Sequence, residues 1–249
     1  MKKLKLLISN DDGIQAEGIA RLARAAAQFG DVWVAAPQSQ CSGMSQKLTI
    51  FGEIAVERAV FPAPVQEAWA IGGTPADCVK LGLACLCPEA EAVISGVNHG
   101  YNAGSDVLYS GTVGAAMEGA LSGLPALAIS LGSTREDTYD KAAATAVTAF
   151  GAMLAHPLPP CSVLNVNYPT CDEAKGLVAA PMQQLHYDET YTKGVNAAGE
   201  ITYTLTGCIA PGRRQSRDYE LLEQGYATMT VLHYDMTHAE ATDGLTGLI

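Results

Sequence analysis

A short apolar segment near the start of the chain ends in two adjacent acids. Residues 4–8 have the composition of a buried strand, Asp11-Asp12-Gly13 follow them, and residues 18–29 repeat apolar side chains at the spacing of one helix face. A strand, a loop and a helix in this order place Asp11 and Asp12 at the carboxyl end of a strand, where open parallel sheets bind ligands. Asp-Gly between apolar segments is also typical of a hairpin turn. The helical periodicity that follows favours the ligand-binding loop.

Strands and helices continue to alternate after this first unit, which predicts an α/β fold with a mostly parallel sheet and right-handed crossovers. Residues 47–60 carry β-branched and apolar residues around Gly52, a pattern that a hairpin would explain. Residues 187–205 are rich in Tyr and Thr around a turn at 196–199, which predicts a long antiparallel hairpin. Further strands are predicted at 32–36, 68–71, 92–95, 126–131, 162–166 and 226–232, and further helices at 75–86, 111–119, 138–154 and 218–225.

The charge balance limits the partners of this chain. Its 249 residues include 15 basic and 26 acidic residues, a formal net charge of −11. Such a chain has no general positive field that would hold a polyanion, so a nucleic acid polymer is excluded as a partner. A small anionic substrate fits only where a metal or helix amide groups supply local positive charge.

The cysteines and the apolar segments indicate a cellular location. The seven cysteines are odd in number, and Cys85 and Cys87 lie too close together for a zinc ribbon, so we expect reduced thiols. The apolar stretch at the start of the chain stops at Ser9, too early for a signal peptide. No other stretch approaches the length of a membrane span. We therefore expect a soluble cytoplasmic protein that does not contact a membrane.

Oxygen-bearing side chains follow several of the predicted strands. Asp11, Asp12, Ser42 and Asn98 all lie on loops that leave strands at the same edge of the sheet. This all-oxygen set suits a hard cation such as magnesium or manganese and suits zinc poorly. Taken singly, Ser42 is also typical of a turn, and Asn98 of a residue that accepts a left-handed backbone.

A second candidate site lies at the start of a predicted helix. Ser110, Gly111 and Thr112 form a turn that opens this helix, where backbone N–H groups are free to bind an anion. The lysine of a Walker-type loop is absent. A plain Ser or Thr helix cap remains the alternative interpretation.

Four stretches of the sequence resemble the SurE survival proteins, a family of metal-dependent nucleoside monophosphate phosphatases. They are spread over about the first 130 residues in the order of the family. They comprise SNDDGIQAEGIARL at 9–22, AP followed by CSG at 36–43, GGTPADCVKL at 72–81 and SGVNHGYNAGSDVLYSGTVGAAMEG at 95–119.

The resemblance implies a function and a set of site residues. The implied activity is hydrolysis of nucleoside 5'-monophosphates to nucleoside and phosphate, with 3'-nucleotides and short polyphosphate as further substrates. The implied ligands of one divalent ion, magnesium or manganese, are Asp11, Asp12, Ser42 and Asn98. The implied phosphate-binding residues are Asn102, Ser110, Gly111 and Thr112, and the implied catalytic residues are Asp11, Asp12 and Asn102.

The resemblance also implies the architecture of the chain. The implied fold is a Rossmann-like three-layer sandwich over residues 1–181, the catalytic core. Residues 182–249 then form a β-rich extension of the same domain. In the family, an exchanged hairpin and tail build homodimers and tetramers, so we expect this extension to assemble the chain.

Charge governs the implied mechanism. A phosphate monoester carries nearly two negative charges, which a divalent cation and helix amide groups would offset. The nucleophile is either a water molecule on the metal or an aspartate; water is favoured because a carboxylate bound to a cation is a weaker nucleophile. His99 lies near these residues in sequence, although a histidine in a loop is more often simply solvated.

The sequence also differs from the patterns of two other protein classes. The haloacid dehalogenase phosphatases need an aspartate two residues before a second one, and adjacent acids do not fit that pattern. A non-catalytic nucleotide- or flavin-binding module of flavodoxin-like shape would not need a clustered acid pair, because acids repel phosphate unless a cation lies between them. Release of phosphate from AMP with manganese or with EDTA would discriminate these hypotheses.

Overall fold

A nine-stranded mixed sheet lies at the centre of the computed structural model, which describes residues 3–132, 136–214 and 216–244. The strand order is β3-β4-β2-β1-β5-β6-β7-β11-β8. The six neighbouring strands β4, β2, β1, β5, β6 and β7 are parallel to one another, whereas β3, β11 and β8 run in the opposite direction. The strands are β1 (Leu4–Ser9), β2 (Gly30–Pro37), β3 (Val56–Arg58), β4 (Glu67–Ile71), β5 (Ala92–His99), β6 (Ala126–Leu131), β7 (Ser162–Tyr168), β8 (Leu177–Ala179) and β11 (Ala227–His233).

Helices cover both faces of this sheet, which confirms the predicted α/β fold. Helices α1 (Glu17–Ala26) and α4 (Glu136–Ala155) pack on one face, and α2 (Pro75–Leu81) and α3 (Gly111–Leu121) pack on the other. Burial on both faces explains why the parallel strands are almost continuously apolar. Phe150 of α4 is fully buried against the ring of Phe29, with centroids 5.0 Å apart. Truncating such a side chain to alanine costs about 3–5 kcal/mol of stability.

The segment 47–60 differs from the sequence-based prediction. Only Val56–Arg58 forms a strand, and it pairs with β4 rather than with a neighbouring part of this segment. The reason is that the preceding residues cross the start of α2: Thr49 donates its N–H to Asp77 at 2.9 Å and its hydroxyl to the same carboxylate at 2.7 Å. Burial acts to raise the pKa of Asp77, but the hydrogen bonds from Thr49 and Thr74 outweigh it and lower that pKa.

The carboxyl-terminal part contains the predicted hairpin. Strands β9 (Leu185–Val195) and β10 (Ile201–Arg214) pair antiparallel in a separate two-stranded sheet, joined by the predicted turn at 196–199. The chain then forms α5 (Arg217–Glu223), returns to the main sheet as β11, and ends its described part after α6 (Ala239–Asp243). No helix in the described ranges is long and apolar enough to span a membrane.

Candidate active site

The loop between β1 and α1 holds Asp11 and Asp12 in a fixed turn. The side chain of Asn10 donates to the carbonyl of Gly13 at 2.9 Å and accepts from the N–H of Gly13 at 3.2 Å. Gly13 has a φ of +99°, which favours glycine at this position. The N–H of Ile14 donates to the carbonyl of Pro37 at 2.8 Å and so ties this loop to the end of β2. The two acids are therefore held at the carboxyl edge of the sheet, as predicted.

Asp11 packs against the first turn of α3. Its side chain is buried and accepts a short hydrogen bond from the hydroxyl of Thr112. A Cβ atom added to Gly111 would lie 2.9 Å from Cβ of Asp11, so even alanine at Gly111 would displace this acid. The two predicted sites, the acid pair and the start of α3, are thus in direct contact although about a hundred residues separate them in the sequence.

The burial of Asp11 has an electrostatic consequence. Burial raises the pKa of Asp11 to about 6; hydrogen bonds from the hydroxyl and N–H of Thr112 oppose the rise, and the charge of Asp12 adds to it. In the described ranges neither acid forms an ion pair with a basic side chain. The pair is therefore costly in its ionised form unless a cation comes to bind it.

Asp12 links its loop to the end of β5 and to the loop after β2. Its Oδ2 accepts the backbone N–H of His99 at 3.0 Å, and its Oδ1 accepts Nε2 of Gln40 at 3.4 Å. The side chain of His99 is exposed, so it is the backbone of His99 that the site uses.

The other two predicted metal ligands lie beside the acid pair. Ser42 is on the loop after β2, as predicted, whereas Asn98 lies within β5, because this strand continues past residue 95 to His99 and pairs with β6. Asn98 is nearly buried and donates its Nδ2 to the carbonyl of Gly100 at 2.8 Å, which leaves its Oδ1 as an acceptor. Ser42 is exposed, and the residue before it, Cys41, donates its N–H to the carbonyl of Asp11 at 2.7 Å. The loop of Asp11 and Asp12 is thus hydrogen bonded both to the loop of Ser42 and to the end of β5, which carries Asn98. Within the described residues no group of three or more His, Cys, Asp or Glu could hold a metal ion, so a cation here would need hydroxyl and amide oxygens beside the two carboxylates.

The start of α3 is partly used by the protein itself. The hydroxyl of Ser110 caps the helix by accepting the N–H of Val113 at 3.1 Å. Thr112 is fully buried, with its hydroxyl directed to Asp11. Both hydroxyls that the resemblance assigns to phosphate binding therefore have a partner within the chain, and Thr112 connects the anion site to the acid pair.

Asn102, the remaining predicted phosphate residue, is buried and enclosed by three polar side chains that sequence reasoning missed. They are Ser130 on β6 and Asn165 and Asn167 on β7, each hydrogen bonded to Asn102. The available signal was the alternation of asparagine with apolar residues in β7, since a buried strand has no ordinary use for two amide side chains.

Comparisons with known proteins agree with this geometry. The family model described as Survival protein SurE matches residues 6–189. A protein from Synechococcus sp. (strain JA-3-3Ab) named 5'-nucleotidase SurE is 40% identical over 250 residues, covering 97% of this chain and 96% of the relative. A protein of the same name from Clostridium botulinum (strain ATCC 19397 / Type A) is 36% identical over 240 residues, covering 94% and 95%.

A solved structure shows the same architecture. The crystal structure of the SurE protein from Aquifex aeolicus superposes with a TM-score of 0.83 at 31% sequence identity, covering 98% of this chain and 99% of that one. The sequence motifs, the placement of the acid pair at the sheet edge and the full-length similarity converge. The chain belongs to the SurE family.

Proposed function

We propose that this chain is a 5'-nucleotidase that hydrolyses nucleoside 5'-monophosphates to nucleoside and inorganic phosphate. The observation that carries the proposal is the adjacent pair of a buried Asp11 and a half-buried Asp12 beside the start of α3, where Asp11 contacts both Gly111 and Thr112. Relatives that are 36–40% identical over nearly the whole chain bear the name 5'-nucleotidase SurE. 3'-Nucleotides and short polyphosphate are proposed as further substrates.

One divalent ion, magnesium or manganese, belongs to the proposal. Asp11, Asp12, Ser42 and Asn98 would hold it, because all four offer oxygen atoms, and the loop of the two acids is hydrogen bonded to the segments that carry Ser42 and Asn98. The raised pKa of Asp11, about 6, supports a cation at this place, since burial and the neighbouring acid disfavour the unpaired carboxylate. When bound, the cation supplies positive charge that offsets the two carboxylates and the phosphate ester.

The residues of the chain orient the phosphate ester. In the proposal the side-chain amide of Asn102 and the backbone N–H of Gly111 bind the phosphoryl oxygens. The N–H groups of Thr112 and Val113 already donate, to Asp11 and to the hydroxyl of Ser110. The hydroxyl of Thr112 holds Asp11 in place and lowers its basicity, which favours water over Asp11 as the nucleophile. The nucleoside has room beside the site in a cavity of about 340 Å³, lined in part by Ser39, Cys41, Gly73 and Thr74.

Self-association is the second part of the proposal. The register of the hairpin places apolar side chains on one face, with polar residues, mainly threonines, on the other. The apolar face is exposed on the single chain. A two-stranded sheet with such an exposed face is only marginally stable in water. We infer that residues 182–249 assemble the core, residues 1–181, into a homodimer or tetramer through this face. The exposed apolar members of the face are Tyr187, Tyr191, Val195, Ile201, Tyr203 and Leu205, and the charged residues Glu189 and Lys193 lie among them.

The proposal also places the enzyme in the cytoplasm. All seven cysteines are free thiols, a pattern typical of a reducing compartment.

The activity is tested by measuring phosphate release from AMP, GMP, 3'-AMP and short polyphosphate in magnesium, in manganese and in EDTA. We expect release from 5'-monophosphates with a divalent ion, no release in EDTA, and recovery when the ion is restored. Full activity after exhaustive EDTA dialysis would contradict the metal, and absence of release from every 5'-monophosphate would contradict the nucleotidase activity.

A further inference from the structure

Strand β7 carries two buried asparagines at its carboxyl end. Asn165 and Asn167 are each 1% exposed and alternate with the buried apolar residues Leu164 and Val166. Because successive residues of a strand face opposite sides, the two asparagines lie on the same face of the sheet. Asn167 is in register with Ser130 of β6, and Ser130 is in register with Asn98 of β5. A polar row therefore crosses three strands beside the candidate site.

Both asparagines are hydrogen bonded to one residue, Asn102. The side chain of Asn167 accepts the backbone N–H of Asn102 at 2.9 Å and donates to its carbonyl at 3.0 Å. Asn165 donates its Nδ2 to the same carbonyl at 2.8 Å. The side chain of Asn102 in turn donates its Nδ2 to the hydroxyl of Ser130 at 2.7 Å.

These bonds replace secondary structure around Asn102. Residues 101–103 form neither helix nor strand, so no backbone ladder holds Asn102. The amide of Asn167 pairs with its N–H and carbonyl as a neighbouring strand would, and Ser130 sets the direction of its side chain. The backbone and the side-chain amide of Asn102 are thus both fixed from the sheet.

Stability alone does not explain this arrangement. Oδ1 of Asn165 is buried without a hydrogen-bond partner among the described residues, and an unpartnered buried acceptor destabilises a fold. An apolar residue at this position of the strand would remove that cost. A role in holding Asn102 in place explains why the chain keeps these polar side chains at a buried position.

We propose that Asn167, Asn165 and Ser130 are positioning residues that fix Asn102 for binding the phosphoryl group. The inference rests on the proposed function, because Asn102 is assigned there to the phosphate. It predicts that loss of Asn167 acts through Asn102, with the acid pair and its cation unaffected.

The test is a double-mutant cycle of Asn167→Ala and Asn102→Ala. Two quantities are measured: kcat and KM for AMP, and the Kd of inorganic phosphate by calorimetry in manganese. The Kd of manganese alone serves as a readout that the network should not move. Thr230→Val is the matched control, because Thr230 is a nearly buried β11 residue, in register with Asn165, that donates its hydroxyl to Ala180 instead.

We expect Asn167→Ala to lower kcat/KM by about a hundredfold, the effect of a displaced binding group. Phosphate affinity should fall with it, manganese affinity should stay within about twofold, and Asn167→Ala should cost nothing further in the Asn102→Ala background. Thr230→Val should retain wild-type activity. Additive losses, or wild-type phosphate affinity in Asn167→Ala, would overturn the inference.

Further outcomes complete the test. If Asn167→Ala does not fold, Asn165→Leu, which is close in volume, takes its place in the same cycle and is judged by the same criteria. If the wild type hydrolyses no nucleotide but binds phosphate, and Asn167→Ala weakens that binding, the proposed function fails and the inference stands. If the wild type neither hydrolyses a nucleotide nor binds phosphate, both are overturned; if it hydrolyses AMP without measurable phosphate binding, the cycle is judged on kcat/KM.

Discussion

The carboxyl edge of the sheet, with Asp11 and Asp12, and the β9–β10 hairpin both depart from the usual pattern of buried apolar and exposed polar side chains. They do so in opposite ways. At the edge, polar groups such as Asp11 and Asn102 are withdrawn from water, at 3% and 6% exposure. In the hairpin, apolar side chains such as Tyr191 and Val195 are presented to water, at 66% and 68%. Both arrangements are unfavourable in an isolated chain. The difference teaches what each region lacks: the edge needs a charged ligand, and the hairpin needs an apolar partner.

The largest effect is expected at Asp12. Asp12→Asn keeps the volume of the side chain but removes its charge, so AMP hydrolysis should fall by about a thousandfold, the upper range for loss of an electrostatic group. Circular dichroism should show an unchanged fold. Asp140→Asn is the control, because Asp140 is an exposed acid that pairs with Arg21 on the surface. Near wild-type turnover by Asp12→Asn would remove the acid pair from the mechanism.

The hairpin offers the opposite experiment, the addition of charge to an apolar surface. Tyr191 and Leu205 are in register on the apolar face, so Tyr191→Asp with Leu205→Asp should yield monomers in light scattering. Thr192→Asp with Thr204→Asp places the same charges on the opposite face of the same strands and should leave assembly intact. A wild-type protein that is already monomeric would refute the assembly proposal.

Asp11 should reveal the cost of an unpaired buried acid. Its pKa rises from 3.8 unfolded to about 6 folded, so between these values the folded state binds the extra proton. Metal-free protein should therefore gain stability as the pH falls from neutrality through about 6, and lose it again as the pH rises. Asp11→Asn should stabilise the metal-free protein at pH 7.5 by about 3 kcal/mol at most.

This gain should fall to about half at pH 5, where Asp11 is mostly protonated in the folded state but still ionised in the unfolded state, and it should disappear only below the unfolded pKa of 3.8. Thermal denaturation at the two pH values measures it. A destabilised Asp11→Asn at pH 7.5 would show that the ionised carboxylate has a favourable partner in the metal-free chain.

Thr112 is expected to show the smallest effect. Thr112→Val keeps the shape of the side chain but removes the hydroxyl that donates to Asp11, and this bond lowers the pKa of Asp11. The pKa of Asp11 in the metal-free protein should therefore rise further. At limiting manganese, where protons compete with the cation for Asp11, the acid limb of the pH–rate profile should move to higher pH, with about a tenfold loss of activity below pH 7. An unshifted acid limb would separate Asp11 from the rate-controlling ionisation.

Local sequence patterns predict both regions, but they do not predict the contact between distant residues that completes the first. Asp11 and Asp12 follow an apolar strand and precede an amphipathic helix, so local periodicity places them at the sheet edge. The hairpin was predicted for a similar reason, from a turn between two Tyr- and Thr-rich strands. The sequence does not predict that Thr112 is the partner of Asp11. Thr112 is 101 residues away, and its hydroxyl would serve equally well as a helix cap.

Asn165 and Asn167 show a second limit. The pattern of β7 is that of a buried strand, and only the neighbouring strand and the loop at Asn102 explain its two amide groups. The segment 47–60 shows the same limit: its extended composition predicts a hairpin, whereas contacts to the start of α2 decide its path. Local patterns predict elements and their ends, and contacts between distant residues decide the rest.

A manganese titration of the metal-free protein by calorimetry tests the central claim most directly. The account predicts one site per chain in the wild type, weakened as the pH falls below about 6, where Asp11 becomes protonated. Asp12→Asn should lose this site, and Asp140→Asn should retain it. Equal binding of manganese by wild type and Asp12→Asn, or no binding by the wild type, would contradict the account.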